Sequence, residues 1–367
     1  MLPASSILTL NAGSSSLKYA VYAGGARVAS GTVGRITTDP KDHETALAKV
    51  LAAIGAHGEL RAVGHRIVHG GERFLAPVYV DDDVLAELRR LAPLAPDHLP
   101  AEIAILEAMR ARSKGTPQVA CFDTAFHATL PRVARVLPIP RRYEAAGVRR
   151  YGFHGLSYQS IVDQLGDAAR GRVVMAHLGS GASLCAALDG KSVDTTMGFT
   201  ATGGIPMGTR PGDLDPGVLL HVLRTENASA AALDDLVNKQ SGLLGVSGRS
   251  ADMRDLLARE EIDPAAADAV AMFCMGVRKA VGALAATLDG LDTLVFAAGI
   301  GENAPPVRAR VCAGLSHLGV KLDRMRNDAR ADIVSTEGST CTVRVVRTDE
   351  EQIIARETAA TLEGRLT

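Results

Sequence analysis

The chain has 367 residues, more than one hydrophobic core usually supports, so two domains are expected. Its 47% of hydrophobic residues and lack of low-complexity tracts exclude a disordered chain. The 40 basic and 41 acidic residues are spread along the sequence for a net charge of -1, and without a basic block no nucleic-acid partner is expected.

The N-terminus enters an apolar run within a few residues, which leaves no room for a signal peptide. That run opens the stretch ILTLNAGSSSLKYAVY, Ile7 to Tyr22. Ile7 to Leu10 reads as a strand, and so does Leu17 to Tyr22, with Leu17, Tyr19 and Val21 at alternate positions. The small residues between them, Gly13 with Ser14, Ser15 and Ser16, offer N–H groups and hydroxyls without bulk, which suits a close approach to phosphate oxygens. A solvated loop fits that stretch alone equally well.

In AVGHRIVHGGERF, Ala62 to Phe74, Arg66 interrupts an apolar strand. A buried guanidinium cannot shed its proton and must meet an anion. His65 and His69 lie four apart, on one face of a continuous strand, but no third metal ligand follows, and backbone-satisfied histidines are the expectation. VACFDTAFHATLP places Asp123 just past a buried strand, and RRYGFHGLSY sets His154 between aromatic and glycine residues.

RVVMAHLGSGASLCAAL, Arg172 to Leu188, repeats the opening signal: strand, small-residue turn from Gly179 to Ser183, strand. Two such units half a chain apart predict a duplicated domain whose turns grip a polyphosphate from both sides. A Walker A loop is excluded because Cys185 stands where its first glycine is needed, and Leu184 occupies the third glycine of a dinucleotide fingerprint. LDGKSV reads instead as an Asp-Gly hairpin. MGTRPGDLDPG holds Arg210 in a rigid loop beside Asp213 and Asp215, as an anion clamp or an internal ion pair. Ala265 to Leu288 is a buried helix pair or one long core helix, and Arg278 and Lys279 argue against a membrane span.

LVFAAGIGENAPPVRARV runs from a strand through a glycine turn, Gly299 to Asn303, into a helix opened by Pro305 or Pro306, a natural seat for nucleotide phosphate or ribose. In RVVRTDEEQIIARET, Asp349, Glu350 and Glu351 sit at a strand–helix junction, where Mg²⁺ is commonly held. The five cysteines are scattered and never spaced as CxxC, so they read as reduced, mostly buried thiols of a cytoplasmic protein.

Together these segments, with DTTMGFT and SGLLGVSGRSADMRD, resemble the acetate kinase family of the acetate and sugar kinase/Hsc70/actin superfamily, in order and over nearly the whole chain. The resemblance implies two duplicated ribonuclease-H-like α/β domains with an interdomain cleft. Residues 1–124 plus 349–367 would form the first, and 125–348 a second that binds nucleotide and dimerises. It implies reversible, direct in-line transfer from ATP to a short carboxylate, acetate first, with Mg²⁺ or Mn²⁺, in a homodimer that engages no membrane. Propionate or a hydroxy acid is the alternative substrate, and a catalytically inactive nucleotide-binding homologue the alternative class.

By resemblance Arg66 and Arg210 hold the carboxylate and the moving phosphoryl group, His154 donates to its oxygens, and Asp123, Glu350 and Asn11 position the metal. Asn11, Ser14, Ser16, Lys18, His177, Gly179, Ser180 and Gly181 line the phosphate path. Asp252, Met253 and Arg254 match an adenosine pocket with Gly299, Ile300, Gly301 and Asn303 opposite. Val68 and Phe153 match the apolar wall around the substrate's methyl group, a set that Asp97, His98 and Ala201 complete.

Three segments depart from the family pattern. Ser180 replaces an Asn, Asp97-His98-Leu99-Pro100 replaces Leu-His-Asn-Pro, and Ala201 replaces a Pro. Asp97 either enters the acid pocket or, as the expectation, accepts from backbone N–H groups where a Leu99 to Arg112 helix begins.

Overall fold

The computed structural model describes residues 6–13, 16–34, 36, 39–55 and 60–364. Two compact units divide the chain: Met1–Ala128 with Phe153–Ser160 and Asp349–Thr367, and Thr129–Gly152 with Ile161–Thr348.

The first unit is built on six strands: β1 (Ser6–Ala12), β2 (Ser16–Ala23), β3 (Ala26–Gly34), β4 (Leu60–Ile67), β5 (Val78–Tyr79) and β6 (Gln118–Phe122), in sheet order β3-β2-β1-β4-β6-β5. β1 pairs antiparallel with β2 and parallel with β4, which is itself parallel to β6. All seven β1 residues are buried, as a central strand covered on both faces requires. One cover is α1 (Pro40–Ile54) with α3 (Leu99–Arg112), whose Leu47, Val50, Ile105 and Met109 pack on Leu8, Leu10 and Val63. The other is the Glu350–Glu363 helix, whose Ile353 and Ile354 meet Val119 and Cys121. α2 (Asp82–Leu91) packs outside α3.

The second unit repeats the plan with β7 (Arg172–Leu178), β8 (Ala182–Leu188), β9 (Lys191–Thr195), β10 (Thr293–Ala297) and β11 (Thr342–Val346). Its order is β11-β10-β7-β8-β9, again with an antiparallel hairpin on one side of the lead strand and two parallel strands on the other. The duplication expected from the two glycine turns is present. The Asp-Gly hairpin is also present, with Asp189 and Gly190 both at positive φ between β8 and β9.

Pro264–Thr287 is one continuous helix, which decides between the two readings of that segment. It is long and apolar enough to cross a membrane by composition alone, but Val270, Phe273, Val277, Val281 and Leu284 bury one stripe of it in the second unit. The five cysteines are free and buried.

Candidate active site

In the first unit Arg66 sits near the end of β4, facing the Glu350–Glu363 helix. That face is read from Gly64, two residues earlier, where an added Cβ would lie 2.2 Å from Thr358 Oγ1 and 2.6 Å from Ile354 Cγ2. The absent side chain lets the helix lie close to the strand, and its first turn then reaches the end of β1.

Around Arg66 a continuous network results. Its Nε donates to both Asp123 oxygens, at 3.2 and 3.1 Å, and its Nη2 to Oδ2 at 2.6 Å. Nη1 donates to Asn11 Oδ1 and to the Ala12 carbonyl, each at 3.3 Å. The Asn11 amide then donates to Glu350 Oε2 at 3.0 Å and to Glu351 Oε1 at 3.3 Å.

Burial works against the Arg66 charge, but Asp123, Glu350 and Glu102 outweigh it and keep the guanidinium protonated. Burial raises the Asp123 carboxyl, Arg66 pulls it back, and Glu350 adds to the rise. Asp349 caps the Glu350–Glu363 helix by accepting from Gln352 N, and it pairs with Arg27, which also donates to Tyr22 Oη. Burial, with Asp349 and Glu351 nearby, pushes the Tyr22 hydroxyl up to about 12.

The side chains of Glu350 and Glu351 both reach the Asn11 amide. The reading of His65 and His69 as one strand face is corrected, because β4 ends at Ile67. Burial pushes His65 down to about 3, leaving it neutral, and His69 Nδ1 accepts from Gly71 N at 2.9 Å.

Phe153 and His154 belong to this unit. Phe153 is buried edge-on against His69, with ring centroids 5.6 Å apart. His154 has φ 60°, an uncommon conformation for a residue with a side chain, and its backbone hydrogen bonds to Asp123. Gly155 follows for a steric reason: its N donates to the Asp123 carbonyl at 2.8 Å, and a Cβ there would lie 2.2 Å from that oxygen. Val68 is buried, Ser16 is half-buried with its carbonyl accepting from Gly13 N, and Lys18 is exposed on β2. Ser14 lies outside the described residues.

The N-cap of α3 is His98, not Asp97, and it makes no side-chain cap bond. Asp97 is half-buried in the preceding turn and has no hydrogen-bond or ion-pair partner among the described residues, so the capping expectation fails.

In the second unit His177 lies on β7, and the turn after it is closed by Gly179 N donating to the Gly181 carbonyl at 3.1 Å. The exposed Ser180 gives its carbonyl to Gly208 N at 3.0 Å, tying this turn to the Arg210 loop. Arg210 Nη1 donates to the Ala201 carbonyl at 2.6 Å. Asp213 accepts from Gly204 N and Asp215 caps the Pro216–Thr225 helix. Gly242, at φ +62°, packs beneath this loop, where a Cβ would lie 2.2 Å from the Met207 carbonyl.

Asp252 caps the Met253–Leu257 helix and pairs with the exposed Arg254, while Met253 is buried. Gly299, Ile300, Gly301 and Asn303 are not an open turn: Ala298–Asn303 is a short helix, with Asn303 Nδ2 donating to the Gly299 carbonyl, and Pro305 opens the next one.

The twice-repeated sheet topology defines the class first: a two-unit α/β protein with the actin-like fold. A putative N-acetylmannosamine kinase from Listeria monocytogenes shares that fold at TM-score 0.51 and 12% identity. The family follows from closer matches. The acetokinase family profile matches residues 26–356. An acetate kinase of Methylocella silvestris is 45% identical, covering 97% of this chain and 98% of its own length. The structure of Porphyromonas gingivalis acetate kinase superposes at TM-score 0.88 with 36% identity, covering 98% of this chain and 100% of that one. A propionate kinase from Francisella tularensis superposes at 0.90 with 32% identity, covering 97% and 99%. This chain belongs to the acetokinase family.

Proposed function

We propose that the protein transfers the γ-phosphoryl group of ATP to acetate, reversibly forming acetyl phosphate and ADP. A carboxylate oxygen attacks phosphorus as the bond to the ADP oxygen breaks, so no proton has to move and the protein's task is placement and charge stabilisation. The observation that carries this reading is the Asp123–Arg66–Asn11–Glu350 network within a chain of this family. It locks the guanidinium plane against Asp123 and Asn11, a fixed geometry suited to an anionic oxygen.

Arg66 and Arg210 hold the acid and the transferring group, and His154 donates to the phosphoryl oxygens. Val68 and Phe153 enclose the methyl group. His177, the Gly179–Gly181 turn, Asp252–Arg254 and Gly299–Asn303 receive the nucleotide. Asn11, Asp123, Glu350 and Glu351 suit Mg²⁺ or Mn²⁺ in donor type, all supplying oxygen. Among the described residues no three acidic, His or Cys side chains form a ready-made cage. Such an ion would supply charge neutralisation at the phosphates. The protein is further read as a cytoplasmic homodimer, formed through the second unit.

Trapping the acyl phosphate as a hydroxamate, with Mg·ATP and acetate, tests the reading. A second reading, an acid larger or more polar than acetate, is favoured by Asp97, a half-buried carboxyl without a partner among the described residues. Comparing kcat/KM for acetate, propionate, glycolate and lactate in wild type and Asp97→Leu decides between them. Preference for acetate that Asp97→Leu leaves unchanged rejects the second.

A further inference from the structure

Beyond β4 the chain leaves the sheet, and its buried backbone donors lose their strand partners. Side chains meet them instead. Gly70 N donates to Thr124 Oγ1 at 3.0 Å, and Val68 N to Glu102 Oε2 at 3.0 Å. Glu102 comes from the first turn of α3 and is 2% exposed, and its second oxygen, Oε1, is buried without a hydrogen-bond partner among the described residues. An ionised carboxyl is poorly suited to that place. Asp123 and Glu350 already surround Arg66, and another buried negative charge would oppose a carboxylate approaching the same guanidinium. A neutral carboxyl makes the same bond to Val68 without that opposition.

We propose that Glu102 is a positioning residue of the acid site: as a neutral carboxylic acid it fixes the Val68 backbone just past Arg66, and its ionisation weakens binding of the carboxylate substrate. The inference rests on the acid-kinase reading above. Burial pushes the Glu102 carboxyl up to about 8, Arg66 and the Val68 N–H pull it down, and Asp123 adds to the rise. Other charges near α3 point elsewhere. On β4, His65 is held neutral. On α2, Asp82 pairs with Arg110, Arg89 with Glu107 and Arg90 with Glu87, all at the surface. On α1, Lys41, Glu44 and Lys49 are exposed and Asp42 is half-buried, while Asp97 and His98 precede α3 in the turn.

The test is steady-state kinetics of wild type, Glu102→Gln and Glu102→Leu across neutral and alkaline pH, with KM for acetate and ATP measured separately. Wild-type KM for acetate should rise as pH passes about 8. Glu102→Gln, which can still accept from Val68, should stay within about threefold of wild type at neutral pH and lose that rise. Glu102→Leu orphans the Val68 donor and should raise KM for acetate about tenfold with KM for ATP unchanged. The proposal is overturned if Gln is as harmful as Leu at neutral pH, if Gln retains the alkaline rise, or if Leu raises both KM values alike.

Thermal unfolding reads the same protonation without turnover. A folded-state value near 8 lies above the unfolded carboxyl's 4.5, so the folded protein binds the extra proton and wild type loses stability as pH climbs between the two. The Tm of Glu102→Gln should therefore gain on wild type between acidic and alkaline pH. A constant difference would contradict the neutral carboxyl even if no acid were turned over, whereas absent turnover with a growing difference would count against the kinase reading alone.

Discussion

Arg66 and Arg210 present opposite problems to a reader of sequence. Both are arginines amid apolar or glycine-rich residues, yet Arg66 is locked bidentately to Asp123 while Arg210 is held by a backbone carbonyl nine residues upstream. Replacing either by Ala should lower kcat/KM by about 10²–10³ while ATP affinity changes little, because each is proposed to act where charge develops. Near-normal turnover in either variant would remove that residue from the mechanism. Glu350→Gln and Glu351→Gln should both raise the Mg²⁺ concentration needed for half-maximal rate, Glu350 more, since the Asn11 amide bonds both carboxylates, at 3.0 and 3.3 Å. A Glu351 variant with unchanged Mg²⁺ dependence would show that its bond to Asn11 is incidental. Sequence could mark these two residues as acids at a helix start, but only the three-dimensional approach of β1 to that helix shows that they share one partner.

The elements were the most legible scale. Alternation marked the opening hairpin, Asp-Gly marked β8–β9, and the second Gly-Ser turn marked the repeat. Helix caps were harder. Asp97 before a Pro-containing start looks like a cap, and the helix does begin at Leu99, but His98 holds the N-cap position. Glu102 carried no signal at all, because its partner is a backbone N–H 34 positions away. The glycines of Gly299–Gly301 suggested a loop, but the backbone winds them into a helical turn that ends in an Asn303 side-chain bond. Gly64 shows how an element positions chemistry. Gly64→Ala should cost about 1–3 kcal/mol from overpacking against Thr358 and Ile354. By pushing the Glu350–Glu363 helix off β4 it should also weaken the Asn11–Glu350 contact, so activity should fall at temperatures where the variant is still folded. A destabilised variant with full kcat would show that the helix position is not critical to the site.

At the scale of the whole molecule, the sheet order repeats while the surfaces diverge. The second unit exposes Val218, Leu220 and Leu223 on one helix and Met272 and Met275 on another, and the exposed Leu214, just ahead of the first helix, lines one pocket with Met272 and Met275. Such a collection of exposed apolar side chains fits self-association, so light scattering should report a dimer that Leu220→Asp or Met275→Asp shifts toward monomer. A wild-type monomer would refute the homodimer reading. Domain duplication was legible because two short strand–turn–strand signals are local. The surface proposed for self-association was not, because its residues are scattered between Leu214 and Met275 and look, one at a time, like ordinary exposed side chains. The claim on which everything else depends is acyl phosphate formation. Incubating the protein with Mg·ATP, acetate and hydroxylamine should give acetohydroxamate and ADP in equal amounts, abolished by Arg66→Ala. Binding of ATP without hydroxamate from acetate, propionate, glycolate or lactate would contradict it.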